Sequence, residues 1–337
     1  MKILAIRLAR LGDVTLLLPA MRALKAAWPE ARLTLLTGLR CASIAEMCPA
    51  IDEVIAVDRV SMRDGPRLNA ARQIAQLVWD IRKRAFDLVI DFHSFRETNL
   101  LTWLSGAPAR MGMKRFKAPY LSFCFNRPPV IEDKSLHVAE MFRRVVGGIP
   151  ISAPAALEAC VGLVIPPDLK EWARGFSPAK PPVALYVDAP VADRRWPPER
   201  FAEVADFAIE KFGAPVLTLD GVDGSRFAET VRRKSRNPDR IRVVTAATIP
   251  ELVALIASSE LLISNDTGPM HVGPAVGVPT LGLFSVALPQ HYHPIGPADR
   301  FLRGNPIREI QTRDVIDTVA QMWAAAAPTS QASERYS

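Results

Sequence analysis

No apolar run in this chain approaches the roughly twenty residues that span a bilayer, and Arg7 and Arg10 interrupt the apolar N-terminal segment. That segment reads as a first strand, not as a signal peptide. Cysteine is scarce: Cys41, Cys48, Cys124 and Cys160 show neither zinc-ligand nor CxxC spacing. They read as reduced, mostly buried thiols of a cytosolic protein. The glycine fingerprint GxGxxG is also missing, since Gly12 stands alone after the first apolar run, and an NAD-dependent oxidoreductase is poorly supported. No repeat occurs at solenoid spacing. Basic residues are spread over the chain and no nucleic-acid-binding motif gathers them, so no nucleic-acid partner is expected.

What is present describes a soluble globular protein, 49% apolar and 23% charged. At 337 residues it suits two domains of ordinary size. The net charge of +7 favours an anionic partner such as a nucleotide, a phosphorylated glycan or an anionic membrane surface.

Apolar strand-like runs alternate with amphipathic segments. Strands are expected at Lys2 to Leu8, Arg32 to Thr37, Val54 to Val57 and Phe86 to Asp91, with helices from Val14 to Trp28 and from Pro66 to Arg84. From Gly147 to Pro182 glycine, alanine and proline accumulate and periodicity weakens. Strands resume at Val183 to Val187, Val216 to Leu219, Arg242 to Thr245, Leu261 to Ser264 and Thr280 to Phe284, with helices such as Glu199 to Phe212, Pro250 to Ala257 and Asp314 to Trp323. The expectation is α/β: two Rossmann-like, doubly wound domains, 1–165 and 180–325, with a linker at 166–179 and a frayed tail at 326–337. Open α/β sheets bind ligands at the carboxyl ends of their strands, so a central cleft between the two domains is expected.

Ser264-Asn265-Asp266-Thr267-Gly268-Pro269-Met270-His271 follows the apolar run Leu261-Leu262-Ile263. Gly268 and Pro269 read as a helix opening, where backbone N–H groups and the helix dipole attract phosphate. Thr267 and His271 add candidate side-chain donors. The plainer reading makes Asp266 or Thr267 an N-cap and His271 a packed side chain. A second turn, Arg7 to Val14, carries Gly12 and Asp13 at a helix start, where Asp13 by itself reads first as an N-cap.

Taken together, these phrases resemble the ADP-heptose:lipopolysaccharide heptosyltransferases of glycosyltransferase family 9. The resemblance runs through Ile6-Arg7-Leu8 to Gly12-Asp13-Val14, Pro49-Ala50-Ile51-Asp52-Glu53-Val54, Asp87 to Asp91, Leu104-Ser105-Gly106-Ala107, Arg195-Trp196-Pro197, Ser264 to His271 and Gly277-Val278-Pro279. It implies a GT-B architecture, with the acceptor on the N-terminal domain and the nucleotide sugar on the C-terminal one. The implied reaction is an inverting, metal-independent transfer of heptose from ADP-heptose to a lipid A-linked lipopolysaccharide core, without a cofactor. The implied place is the cytoplasm, in peripheral contact with the inner membrane surface. By the same resemblance Asp13 is the general base, Arg194 replaces the family's lysine on the diphosphate, and Thr267, Gly268 and His271 complete its binding. Asp266 is expected to orient the loop or a sugar hydroxyl, because a second anion would repel phosphate.

Two segments depart from the family pattern. Asp188-Ala189-Pro190-Val191 stands where small hydroxyl or glycine residues seat phosphates, and Ser285-Val286-Ala287 replaces Gly-Pro-Thr. Proline removes an N–H and alanine offers no hydroxyl. Two alternatives therefore stay open: a same-fold enzyme using another nucleotide sugar or acceptor, and a catalytically lapsed nucleotide- or glycan-binding protein. Asp91, His93 and Arg96, and the basic cluster Lys114, Arg115 and Lys117, are candidates for the acceptor pocket or for capping and surface duty. His291 and His293 lack neighbouring cysteine or carboxylate ligands, and no metal site is expected there.

Overall fold

The computed structural model of the protein describes residues 1–148, 162–221 and 226–326. The chain divides into two compact units, Met1–Val164 and Ile165–Ser337. In the first, the described strands are β1 Lys2–Arg7, β2 Arg32–Gly38, β3 Glu53–Val57, β4 Leu88–Asp91, β5 Ala109–Lys114 and β6 Val130–Ile131. They form one sheet in the order β3-β2-β1-β4-β5-β6. In the second, β7 Val183–Tyr186, β8 Val216–Leu219, β9 Ile241–Val244, β10 Leu261–Asn265, β11 Thr280–Phe284 and β12 Arg300–Arg303 pair as β12-β11-β10-β7-β8-β9. Numbered within its unit, each sheet has the doubly wound order 3-2-1-4-5-6, and every pairing is parallel.

Parallel strands require helical crossovers that cover both faces, so the central strands must be apolar on both sides. That is why β4, β7, β10 and β11 are buried at every position. In the first unit Leu4, Ile6, Val89, Ile81 and Leu101 share a core. In the second, Leu185, Ile263 and Leu283 pack with Trp196 and Phe201. Strand order reverses between β1 and β4 and again between β7 and β10, and backbone ends are free for ligands at such switch points.

Several sequence expectations change. The helix expected from Val14 to Trp28 is two helices, Leu11–Thr15 and Leu18–Ala27, because Pro19 has no N–H to continue the ladder. The helix expected at Gly268 is a 3-10 turn, Gly268–His271, followed by one α-turn, Val272–Ala275. Gly277 at φ +77° ends it, so the dipole of a long helix is absent from this loop. The segment read as a linker carries the helix Pro167–Arg174, which buries Ala173 and packs against the helix Ile249–Ala257. Much of the remaining texture change, 149–161, and the tail beyond Ala326 lie outside the described residues. Cys41, Cys48 and Cys124 are free and buried, and Cys160 falls outside the described residues.

Candidate functional site

At the first switch point, β1 ends on Arg7 and β4 on Asp91. Arg7 is 5% exposed, and its guanidinium lies 4.8 Å over the Phe142 ring. One arm donates to the Phe92 carbonyl at 2.9 Å and the other to Asp13 Oδ1 at 2.5 Å. A planar fork suits such two-point bridging, and it ties the β1 loop to the β4 loop. Asp13 sits in the first turn of Leu11–Thr15 without capping it, since the N-cap is Arg10. Its side chain remains 31% exposed, and Arg7 orients the carboxylate.

Asp91 has a different duty. Fully buried, it accepts from the His93 and Ser94 N–H groups at 3.0 and 2.7 Å and from Asn99 Nδ2 at 2.8 Å. This Asx-type turn holds Ser94 at φ +55°. Asp91 therefore shapes the loop. Beside it, the His93 ring packs on Phe95, which Arg115 covers at 4.8 Å. Arg115 also lies 3.9 Å from Glu132. Arg96 opens the helix Arg96–Leu104.

Burial, with Arg7, Arg59 and Arg115 nearby, pushes the His93 imidazole down to about 3, so the ring is neutral at physiological pH. The unfolded chain takes up this proton as pH falls through 6.5, whereas the folded chain does so only near 3. The neutral ring's contribution to stability is complete above the unfolded value and is lost as pH falls through this window. Urea denaturation of the wild type and His93→Gln tests this: the wild type should lose more stability than the variant between about pH 7 and about pH 5. Equal losses would contradict the assignment.

The second switch point repeats the design with a different residue. Asn265, at the end of β10 and fully buried, donates to the Val187 carbonyl beyond β7 at 2.9 Å and accepts from the Trp196 N–H at 3.0 Å. Trp196 is itself fully buried, gives its indole N–H to the Ile310 carbonyl at 3.0 Å and meets Phe201 edge-on. The anchor fixes the short turn Ala192–Arg194 just before it. Ser285 fixes the same turn from β11 by donating to the Asp193 carbonyl at 2.6 Å.

Arg194 is thereby held 3.4 Å from Asp266 Oδ2, with 36% of its side chain exposed. The contact lacks hydrogen-bond geometry, and both Asp266 Oδ2 and Arg194 Nε are buried without a hydrogen-bond partner among the described residues. Burial raises the Asp266 carboxyl above its ordinary range, and Arg194 offsets part of that rise. Thr267 and Gly268 form the half-buried lip of the loop, while His271 is buried. Thr267 has extended backbone and gives its hydroxyl to the Asn265 carbonyl at 3.3 Å rather than capping through its side chain. Arg195 is occupied elsewhere, with the Ala189 carbonyl at 2.5 Å, Asp188 at 3.6 Å and the Phe227 ring at 4.1 Å.

Of the residues singled out in the sequence, Asp13 belongs to the first unit, and Arg194, Asp266, Thr267, Gly268 and His271 to the second. The structure brings Arg194 and Asp266 together, as a cation beside the acid meant to orient the loop. Sequence reasoning missed three positioning residues: Arg7 for Asp13, and Asn265 and Ser285 for the Arg194 turn. Arg7 and Asn265 stand inside those family phrases, and a polar residue closing a largely apolar strand was the available signal. Ser285 was noted only as a departure, yet it is a strut of the Arg194 turn.

Two consecutive doubly wound units, each with a six-stranded parallel sheet, are the fold of the GT-B class. The chain belongs to glycosyltransferase family 9 (heptosyltransferase), whose sequence pattern matches residues 74–318. Its similarity extends to a putative glycosyltransferase of Haemophilus influenzae, 24% identical over 320 residues, covering 89% of this chain and 88% of that one. It is also similar to the lipopolysaccharide heptosyltransferase 3 of Escherichia coli, 22% identical and covering 91% and 90%. Among solved structures, a glycosyltransferase family 9 protein of Veillonella parvula superimposes with a TM-score of 0.81 at 24% identity, covering 96% and 97%. At these identities the likeness of solved structures establishes the fold. Among the described residues no helix is long and apolar enough to cross a membrane.

Proposed function

We propose that the protein transfers heptose from ADP-heptose to a lipid A-linked lipopolysaccharide core, inverting the anomeric centre without a metal or cofactor. The observation that carries this reading is Arg194, half-exposed and only partly engaged by Asp266, beside the Thr267-Gly268 lip of the second switch point. Such a group of donors suits a diphosphate that departs with negative charge. The nucleotide comes from the relatives: an E. coli heptosyltransferase of this fold was solved with ADP and again with ADP-2-deoxy-2-fluoro heptose. The acceptor class comes from the lipopolysaccharide heptosyltransferase 3 of the same organism.

In the proposed step an acceptor hydroxyl attacks the anomeric carbon from the face opposite the diphosphate. The new C–O bond forms as the bond to the β-phosphate oxygen breaks, and Asp13 takes the hydroxyl proton. Arg194, Thr267, the Gly268 backbone and His271 hold the departing ADP, and Asp266 keeps Arg194 turned towards the loop. The place of action is the cytoplasmic face of the inner membrane, in peripheral contact with it.

A second reading, the same chemistry with another nucleotide sugar, is favoured by Ala189 and Pro190, which offer neither a hydroxyl nor, at Pro190, an N–H. One incubation separates the two. With ADP-heptose, a lipid A-linked acceptor and EDTA, the account expects ADP release, acceptor mass increased by one heptose and an inverted anomeric configuration by NMR. Retention of configuration, or dependence on added metal, would contradict it. Turnover with a different nucleotide sugar only would establish the second reading.

A further inference from the structure

The outward side of two helices in the first unit is not used by the reaction. The helix Arg67–Arg84 runs for 18 residues and buries only Ile81. From Arg67 to Gln76 every residue except Ala70 is exposed. Leu68 and Trp79 are 81% and 56% exposed. Eleven positions apart, they lie within about 20° of each other on the helix, on the side away from Ile81. Arg72, Arg82 and Lys83 flank them, and the Lys83 ammonium lies 4.9 Å from the Trp79 ring. Within the helix Arg67, Arg72, Arg82, Lys83 and Arg84 outnumber the single acid Asp80, and of these Arg84 is paired with Glu53 of β3.

The neighbouring helix, Arg96–Leu104, continues this surface. Its Leu101 enters the same core as Ile81, so both helices cover one side of the sheet. Arg82 reaches the Leu104 carbonyl and ties them together. On the other side Leu100 and Trp103 are exposed, and Trp103 meets the exposed Phe123 edge-on at 6.0 Å.

We infer that this outer face, tipped by Leu68, Trp79, Leu100 and Trp103 and flanked by Arg72, Arg82 and Lys83, docks on an anionic lipid bilayer. It builds on the proposed peripheral contact with the membrane and assigns that contact to a surface. Apolar tips separated by cations suit the headgroup boundary, where Trp and Leu enter the acyl edge while Lys and Arg stay with anionic headgroups. They suit a protein partner less well, because protein interfaces close around a continuous patch depleted of lysine.

The test is sedimentation of the full chain with vesicles of phosphatidylcholine alone or mixed with phosphatidylglycerol. Two double variants accompany the wild type: Leu68→Ser with Trp79→Ser, and Arg72→Glu with Lys83→Glu. Circular dichroism and ADP affinity are measured on all three proteins. Binding to the anionic vesicles should exceed binding to neutral ones by about tenfold or more, weaken with salt and fall by about tenfold in each variant. ADP affinity should not change. Equal vesicle binding by wild type and variants, or no preference for anionic lipid, overturns the inference. So does a concentration-dependent dimer that the variants dissolve without any vesicle binding, which assigns the face to a second copy. Vesicle binding without ADP binding in the wild type would leave the surface standing and remove the transfer reading instead.

Discussion

Asp13→Asn should lower kcat by roughly 100- to 10,000-fold, the range expected when a general base is removed, while leaving ADP affinity unchanged. Asparagine keeps the size of the side chain and an oxygen for the Arg7 fork, which now meets Asp13 at 2.5 Å. It cannot take a proton from the acceptor. A fall in kcat with an intact fold therefore reports the proton transfer and not a collapsed loop. Steady-state transfer assays give kcat, and calorimetric titration with ADP gives the affinity. Activity within threefold of the wild type would remove Asp13 from the mechanism.

The largest structural effect is expected at Asn265→Ala. The substitution leaves the Trp196 N–H and the Val187 carbonyl unpaired in a fully buried position. Each orphaned group costs about 1–3 kcal/mol. The combined loss, about 2–6 kcal/mol, corresponds to a Tm lowered by roughly 4–24 °C for a unit of this size. Donor affinity should fall with it, because the Trp196 anchor lies two residues after Arg194. Calorimetric unfolding and the ADP titration read the two effects. A Tm within a degree or two of the wild type would show that the Ala192–Arg194 turn is held by something other than Asn265.

The alternation of apolar runs and amphipathic segments was enough to read two doubly wound units, because buried parallel strands must be apolar throughout. It was not enough for the sheet margins. β12 is the charged run Arg300-Phe301-Leu302-Arg303, β5 carries methionine and glycine in place of β-branched residues, and β6 spans two residues. Such strands are set by the neighbour they pair with and leave little pattern of their own.

The site divides in the same way. Asp13 and the Ser264 to His271 loop could be singled out as candidates because they lie in contiguous phrases. Arg7 reaches a carbonyl 85 residues away and Asn265 an N–H 69 residues away. Those contacts exist only once β1 has paired with β4 and β10 with β7. Gly268 and Pro269 do open a helical segment, but it is a 3-10 turn followed by one α-turn that stops before Gly277, so its length was not legible.

In the proposed reaction the second unit's switch point holds the diphosphate of an adenine nucleotide sugar. Calorimetric titration with ADP, UDP, GDP and NAD, run on the wild type, Arg194→Ala and His271→Ala, tests it most directly. ADP should bind most tightly and both variants should weaken it, by about tenfold or more where the Arg194 charge is lost. A preference for another nucleotide would keep the diphosphate site and change the donor. Undiminished ADP affinity in both variants, or no nucleotide binding at all, would contradict the assignment.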